Sequence, residues 1–173
     1  CAIVLRMSPS WIRVGTFEFF ARGRDKETIS QLADYVIKQS YPHLENEENK
    51  YEKMFYSLVD KTAELLAKWQ VYGFQHGVMN TDNFSVAGLT IDYGPYAFMD
   101  YFEKNAICNH TDAEGRYSYN NQPYVARWNL FALIDALKLI CDESKLESYM
   151  KAFLPQHEKV YLDLMNKRLG LDA

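Results

Sequence analysis

Apolar positions Ile29, Leu32, Ala33, Val36 and Ile37 fall at i, i+3, i+4, i+7 and i+8, which lines one face of a helix. Pro42 ends that helix, because the residue before a proline is pushed out of the helical region. The acidic stretch Glu45–Glu48 is expected to open a second, longer helix, since carboxylates favour the positive end of the helix dipole. Tyr51, Met54, Phe55, Leu58, Leu65, Leu66, Trp69 and Tyr72 form its stripe, and Gly73 stands where a C-terminal cap belongs. Pro123 suits the first turn of a further helix through Cys141. Val125, Trp128, Leu130, Phe131, Leu133, Ile134, Leu137 and Ile140 surround that helix, so it belongs in the core. Amphipathic helices over about 143–153 and 156–169 complete the chain.

Two regions lack the helical period. Ala2–Leu5 reads as a strand already under way, and with Cys as first residue the chain looks like a piece of something longer. Residues 74–96 set Gly, Asn, Asp and Thr between the short β-type runs Phe84–Val86 and Leu89–Ile91, the pattern of a loop presented by a hairpin. Residues 103–122 form another polar connection. With no repeat and no linker, the reading is a single domain over 1–173, α+β and mainly α-helical, with a small β-hairpin.

The chain of 173 residues is 48% hydrophobic and 24% charged, enough to bury a core and too apolar for a disordered tail. Net charge is −4 and no Lys/Arg run stands out, so the footprint of a nucleic-acid partner is missing. No apolar stretch approaches the ~20 residues of a membrane helix, so no membrane partner is expected. Cys1, Cys108 and Cys141 form no C-x-x-C, which argues against a zinc knuckle or a disulfide framework and for a reducing compartment rather than secretion. Trp11, Trp69 and Trp128 are expected in the core and Tyr93 in packing. His43, His110 and His157 share no metal-ligand spacing.

The chemistry concentrates in His76-Gly77-Val78-Met79-Asn80-Thr81-Asp82-Asn83 followed by Leu89-Thr90-Ile91-Asp92-Tyr93-Gly94-Pro95. Protein kinases carry H-R-D-L-x-x-x-N and then D-F-G. His76 and Asn83 stand at the spacing of the kinase His and Asn, and Asp92-Tyr93-Gly94 supplies the second motif. In kinases that Asn and Asp hold the metal ions that bridge the nucleotide phosphates, and amide and carboxylate oxygens are the hard ligands those ions prefer. Val78 occupies the position of the kinase catalytic Asp and takes no proton. Asp82 is the only acid on this loop, hence the candidate base for a hydroxyl nucleophile. His76 is expected to orient the loop rather than to catalyse.

These residues resemble the selenoprotein O family of protein adenylyltransferases, which have a kinase-like (pseudokinase) fold. The likeness extends to Leu5-Arg6 with Ser10-Trp11-Ile12-Arg13-Val14-Gly15-Thr16-Phe17, and to Gly115-Arg116-Tyr117-Ser118-Tyr119 with Asn121-Gln122-Pro123 and Trp128-Asn129-Leu130. It implies a C-lobe-like part of a kinase-like fold, with the hairpin carrying the catalytic and metal-binding loops. It also implies transfer of AMP from ATP, bound inverted relative to kinases, to Ser, Thr or Tyr hydroxyls of protein substrates. Asp82 is then the proton acceptor, Asn83 and Asp92 hold Mg²⁺ or Mn²⁺, and Arg6, Arg13 and Asp92 bind the nucleotide. A guanidinium fork matches phosphate oxygens.

The eight glycines include no G-x-G pair, and no lysine sits in a V-A-I-K-like strand. By resemblance, the nucleotide-covering N-lobe lies before residue 1 and any redox-active Cys or selenocysteine after Ala173, so this fragment alone is expected to be inactive. The resemblance places relatives in mitochondria when eukaryotic and in the cytoplasm when bacterial. Two other readings compete. A small-molecule phosphotransferase of the aminoglycoside or choline kinase type needs an Asp where Val78 stands, and a non-catalytic pseudokinase scaffold has no need of Asp82, Asn83 and Asp92 together.

Overall fold

The computed structural model describes residue 3 and residues 5–171. Among them are six α-helices: α1 (Val14–Ala21), α2 (Lys26–Ser40), α3 (Lys50–Val71), α4 (Gln122–Leu137), α5 (Glu143–Met150) and α6 (Phe153–Leu169). The period read from residues 29–37 is the buried face of α2, with Ile29, Ala33, Val36 and Ile37 inside. Asp25 caps that helix, its carboxylate accepting from the Thr28 N–H at 3.0 Å.

Helix α3 starts later than the acidic stretch suggests. Asn49, at φ 57, is left-handed directly before the first helical residue, so Glu45–Glu48 forms turns and Glu47 pairs instead with Lys53 at 2.5 Å. At the other end Gly73, at φ +70, takes the left-handed C′ position that glycine reaches without strain. Helix α4 is central: Ala126, Leu130, Leu133, Ala136 and Leu137 have no exposure. Trp69 is buried as expected, but Trp11 and Trp128 are 44% and 52% exposed, contrary to the core assignment. Trp128 is instead covered in part by the Arg116 guanidinium, 5.0 Å from its ring centre.

Helix α1 carries no sequence signal. Gly15 and Thr16 are poor helix formers, and aromatic residues fill its remaining turns. Tertiary packing overrides propensity here, because Val14 and Phe17 are wholly buried and α1 lies against α4.

The expected hairpin of Phe84–Val86 with Leu89–Ile91 does not form. Residues 84–86 pair instead with the chain just before α1: Val14 N donates to Phe84 O at 2.8 Å, Val86 N to Ile12 O at 3.2 Å, and Arg13 bridges Ser85. The small antiparallel sheet is made by β1 (Phe74–Gln75) and β2 (Ala97–Phe98), with Phe74 opposite Phe98 and Gln75 opposite Ala97. Its two strands bracket the motif-bearing segment 76–96. Of the expected first strand, Ala2 and Val4 lie outside the described residues, and Ile3 and Leu5 are exposed and have no strand partner among the described residues.

Candidate active site

Side chains from the helices hold this loop where a sheet ladder does not. The His76 N–H donates to Gln122 Oε1 and Gln122 Nε2 donates to Phe74 O, both at 3.0 Å. Two turns further along α4, Asn129 Nδ2 donates to Met79 O at 2.8 Å. Gln122 and Asn129 are both fully buried. Sequence reasoning took them only as part of a distant signature. The available signal was two amides seven residues apart in a helix otherwise apolar nearly all round, where a buried amide has to answer a polar partner.

Gln122→Leu is expected to destabilise the protein by about 1–3 kcal/mol for each backbone group it orphans, at Phe74 and His76. Denaturant unfolding measures this. A loss below about 0.5 kcal/mol would mean that other partners replace the amide.

His76 behaves as the orienting residue expected. Its ring stacks on Trp69, with centres 5.5 Å apart. Nε2 donates to Ile91 O at 2.7 Å, and Nδ1 accepts from the Val78 N–H at 3.4 Å. That arrangement requires the neutral ring. Burial pushes its pKa below the usual value, against the opposing pull of the Ile91 carbonyl and the Asp92 charge. The histidine thus ties the first motif to the residue immediately before Asp92.

Asp82 and Asn83 share one 3₁₀ turn, Thr81–Asn83. Asn83 Nδ2 donates to Val78 O at 3.1 Å, which turns its Oδ1, the hard donor, away from that bond. Val78, in place of an acid, therefore serves the site through its backbone. Asp82 is exposed, and its carboxylate lies against the first turn of α1 at Gly15. Asp92 is left-handed, at φ 58, and the Gly94 N–H closes a tight turn on its carbonyl at 2.8 Å. Asp tolerates that conformation better than most residues, and strain of this kind clusters at functional sites.

The two arginines attach to the two loops separately. Arg13 precedes α1 and bridges Ser85, beside the Asp82–Asn83 turn, and its buried Nε has no hydrogen-bond partner among the described residues. Arg6 donates from Nη2 to Tyr93 O at 2.8 Å, and its guanidinium lies 5.7 Å from the Tyr93 ring centre. Tyr93 packs edge-on against Tyr96 and Phe74, as expected of a packing residue. With Trp69 and Phe98 these rings line an open, mainly aromatic pocket of about 460 Å³ beside the Asp92 turn, where Lys68, paired with Glu64 at 2.5 Å, supplies a cation.

No group of three or more His, Cys, Asp or Glu side chains able to hold a metal occurs among the described residues. The oxygens of Asn83 and Asp92 still fit Mg²⁺, which keeps several waters and is commonly held by one or two carboxylates together with substrate phosphates. They do not make the all-protein cage of a structural ion.

The model of the family described as "Protein adenylyltransferase SelO" matches residues 1–173. The chain belongs to that family. Among curated relatives, it is 48% identical over 170 residues to the protein nucleotidyltransferase YdiU of Pseudomonas paraeruginosa, covering 98% of this chain and 35% of the relative. The YdiU of Pseudomonas entomophila is 49% identical over the same span and coverage. That of Ectopseudomonas mendocina is 48% identical over 172 residues, 99% of this chain and 35% of the relative. The chain thus spans about a third of the length of these family members. No helix among the described residues is long and apolar enough to cross a membrane.

Proposed function

We propose that this chain carries the catalytic part of an ATP-dependent protein adenylyltransferase, built as the C-lobe-like portion of a kinase-like fold. The observation that carries the reading is the Thr81–Asn83 turn. It sets an exposed carboxylate next to an amide oxygen facing away from its one hydrogen bond, with the Asp92 turn tied in through His76. Asp82 takes the proton from a Ser, Thr or Tyr hydroxyl of a protein substrate. The hydroxyl oxygen then bonds to the α-phosphorus of ATP, the bond to the β-phosphate bridge breaks, and pyrophosphate leaves. Asn83 and Asp92 would hold Mg²⁺ or Mn²⁺, which supplies neutralisation of the phosphate charge. Arg6 and Arg13, one on each loop, would contact the phosphates. The names of the relatives, which describe protein nucleotidyl transfer, support this direction.

Mass analysis of a full-length protein containing this chain, incubated with ATP and Mg²⁺ and a protein substrate, tests the reading. An adenylyl adduct is expected. A phosphoryl adduct in its place, or phosphorylation of small alcohols, would assign the site to a phosphotransferase, and no adduct at all would favour a scaffold.

A further inference from the structure

Helix α1 meets the Asp82 turn at two points that neither the kinase-like motif nor the family description explains. Thr81 Oγ1 donates to Glu18 Oε2 at 2.8 Å, which pins the residue before Asp82 to α1. One turn earlier, Gly15 leaves open the space that the Asp82 carboxylate occupies. A Cβ on Gly15 would stand 2.1 Å from Asp82 Oδ1, 3.1 Å from its Cγ and 3.2 Å from its backbone nitrogen. Gly15 is not among the glycines with positive φ, so its backbone conformation gives no reason for glycine. Within a helix glycine is the poorer choice. The carboxylate supplies the reason. Glu18 also approaches Arg22 at 3.6 Å, but that pair is solvent-exposed and contributes little.

We infer that Gly15 and Glu18 are positioning residues for Asp82, Gly15 by leaving room for the carboxylate and Glu18 by anchoring its turn through Thr81. The inference rests on the reading of Asp82 as proton acceptor. A Cβ at Gly15 displaces the carboxylate, whose far end is the flexible part of the contact, and crowds the Asp82 backbone nitrogen at 3.2 Å, so the turn that carries the carboxylate shifts with it. A reacting group misplaced by an ångström costs about 10²-fold in rate.

The test compares Gly15→Ala, Glu18→Leu, Glu18→Gln and Asp82→Asn in the full-length protein, reading kcat for AMP transfer, KM for ATP and melting temperature. Gly15→Ala is expected to lower kcat by about 10²-fold while the KM for ATP stays within about twofold. Its melting temperature should change little, since alanine is the better helix former and offsets the crowding at the Asp82 nitrogen. Activity lost without stability lost is not what a packing role produces. Glu18→Leu should also lower kcat, and Glu18→Gln, which keeps an acceptor for Thr81, should recover most of that loss. If Gly15→Ala folds poorly, the Glu18 pair decides.

Asp82→Asn separates the two readings. Transfer that survives it removes the proton-acceptor assignment and this inference with it. Transfer abolished by Asp82→Asn but kept within about threefold by Gly15→Ala and Glu18→Leu overturns the positioning role alone. Equal loss in Glu18→Gln and Glu18→Leu rules out the Thr81 hydrogen bond as the means.

Discussion

Asp82→Ala is expected to abolish AMP transfer in the full-length protein while leaving metal-dependent ATP binding close to its original strength. The carboxylate is exposed and lies against a glycine, so its removal leaves no buried partner stranded and the fold should survive. General-base catalysis is commonly worth ~10²–10⁴-fold, and nucleotide binding in the ground state does not draw on it. Adenylylation assayed alongside ATP titration at fixed Mg²⁺ separates the two effects. Loss of ATP binding as severe as the loss of transfer would falsify the proton-acceptor role and make Asp82 a metal ligand.

Asp92 should respond differently, because the proposed mechanism gives it the metal. Removing a charged ligand from the ion that neutralises the phosphates weakens binding and transfer together. The loss should exceed the ~10–100-fold that follows when only a supporting residue of a metal site is changed. Alanine adds a second effect, since Asp92 is left-handed at φ 58, a conformation that alanine adopts at a cost of about 1–2 kcal/mol. Asp92→Asn therefore belongs beside Asp92→Ala. Asparagine tolerates the backbone and keeps an oxygen, but it has no charge. Both variants should bind ATP poorly with Mg²⁺ present. If Asp92→Asn binds normally and only Asp92→Ala fails, the residue matters for its backbone and not as a ligand.

The helices that bury a regular stripe were legible in the chain, and so was the segment that bears the chemistry. Ile29 to Ile37 announce themselves by period, and α4 by Pro123 at its start and a nearly continuous apolar run. Helix α1 does not, because its stability comes from Val14 and Phe17 packing against α4, a contact more than a hundred residues away in sequence. Separation along the chain likewise hid the partner of Phe84–Val86. A β-type run shows that a strand partner is needed, and here the partner came from the segment around Arg13 rather than from the next apolar run. Within the site, motif spacing singled out Asn83 and Asp92, and Asp82 stood out as the only acid on its loop. Glu18 carries no local motif, and the signature around Gln122 and Asn129 does not say what they hold, since each acts on backbone or side chains brought near only by folding.

The amides that α4 sends into the loop also bear on how the site comes apart. Segment 76–96 is closed at its ends by two residue pairs of sheet, and its interior is tied to Gln122 and Asn129 of α4, to Glu18 of α1 and to the backbone at Ile12 and Val14. It opens when the elements that supply these ties move apart, so the loop, α1 and α4 form one cooperative unit, and their amide protons should share a common exchange rate rather than a graded one.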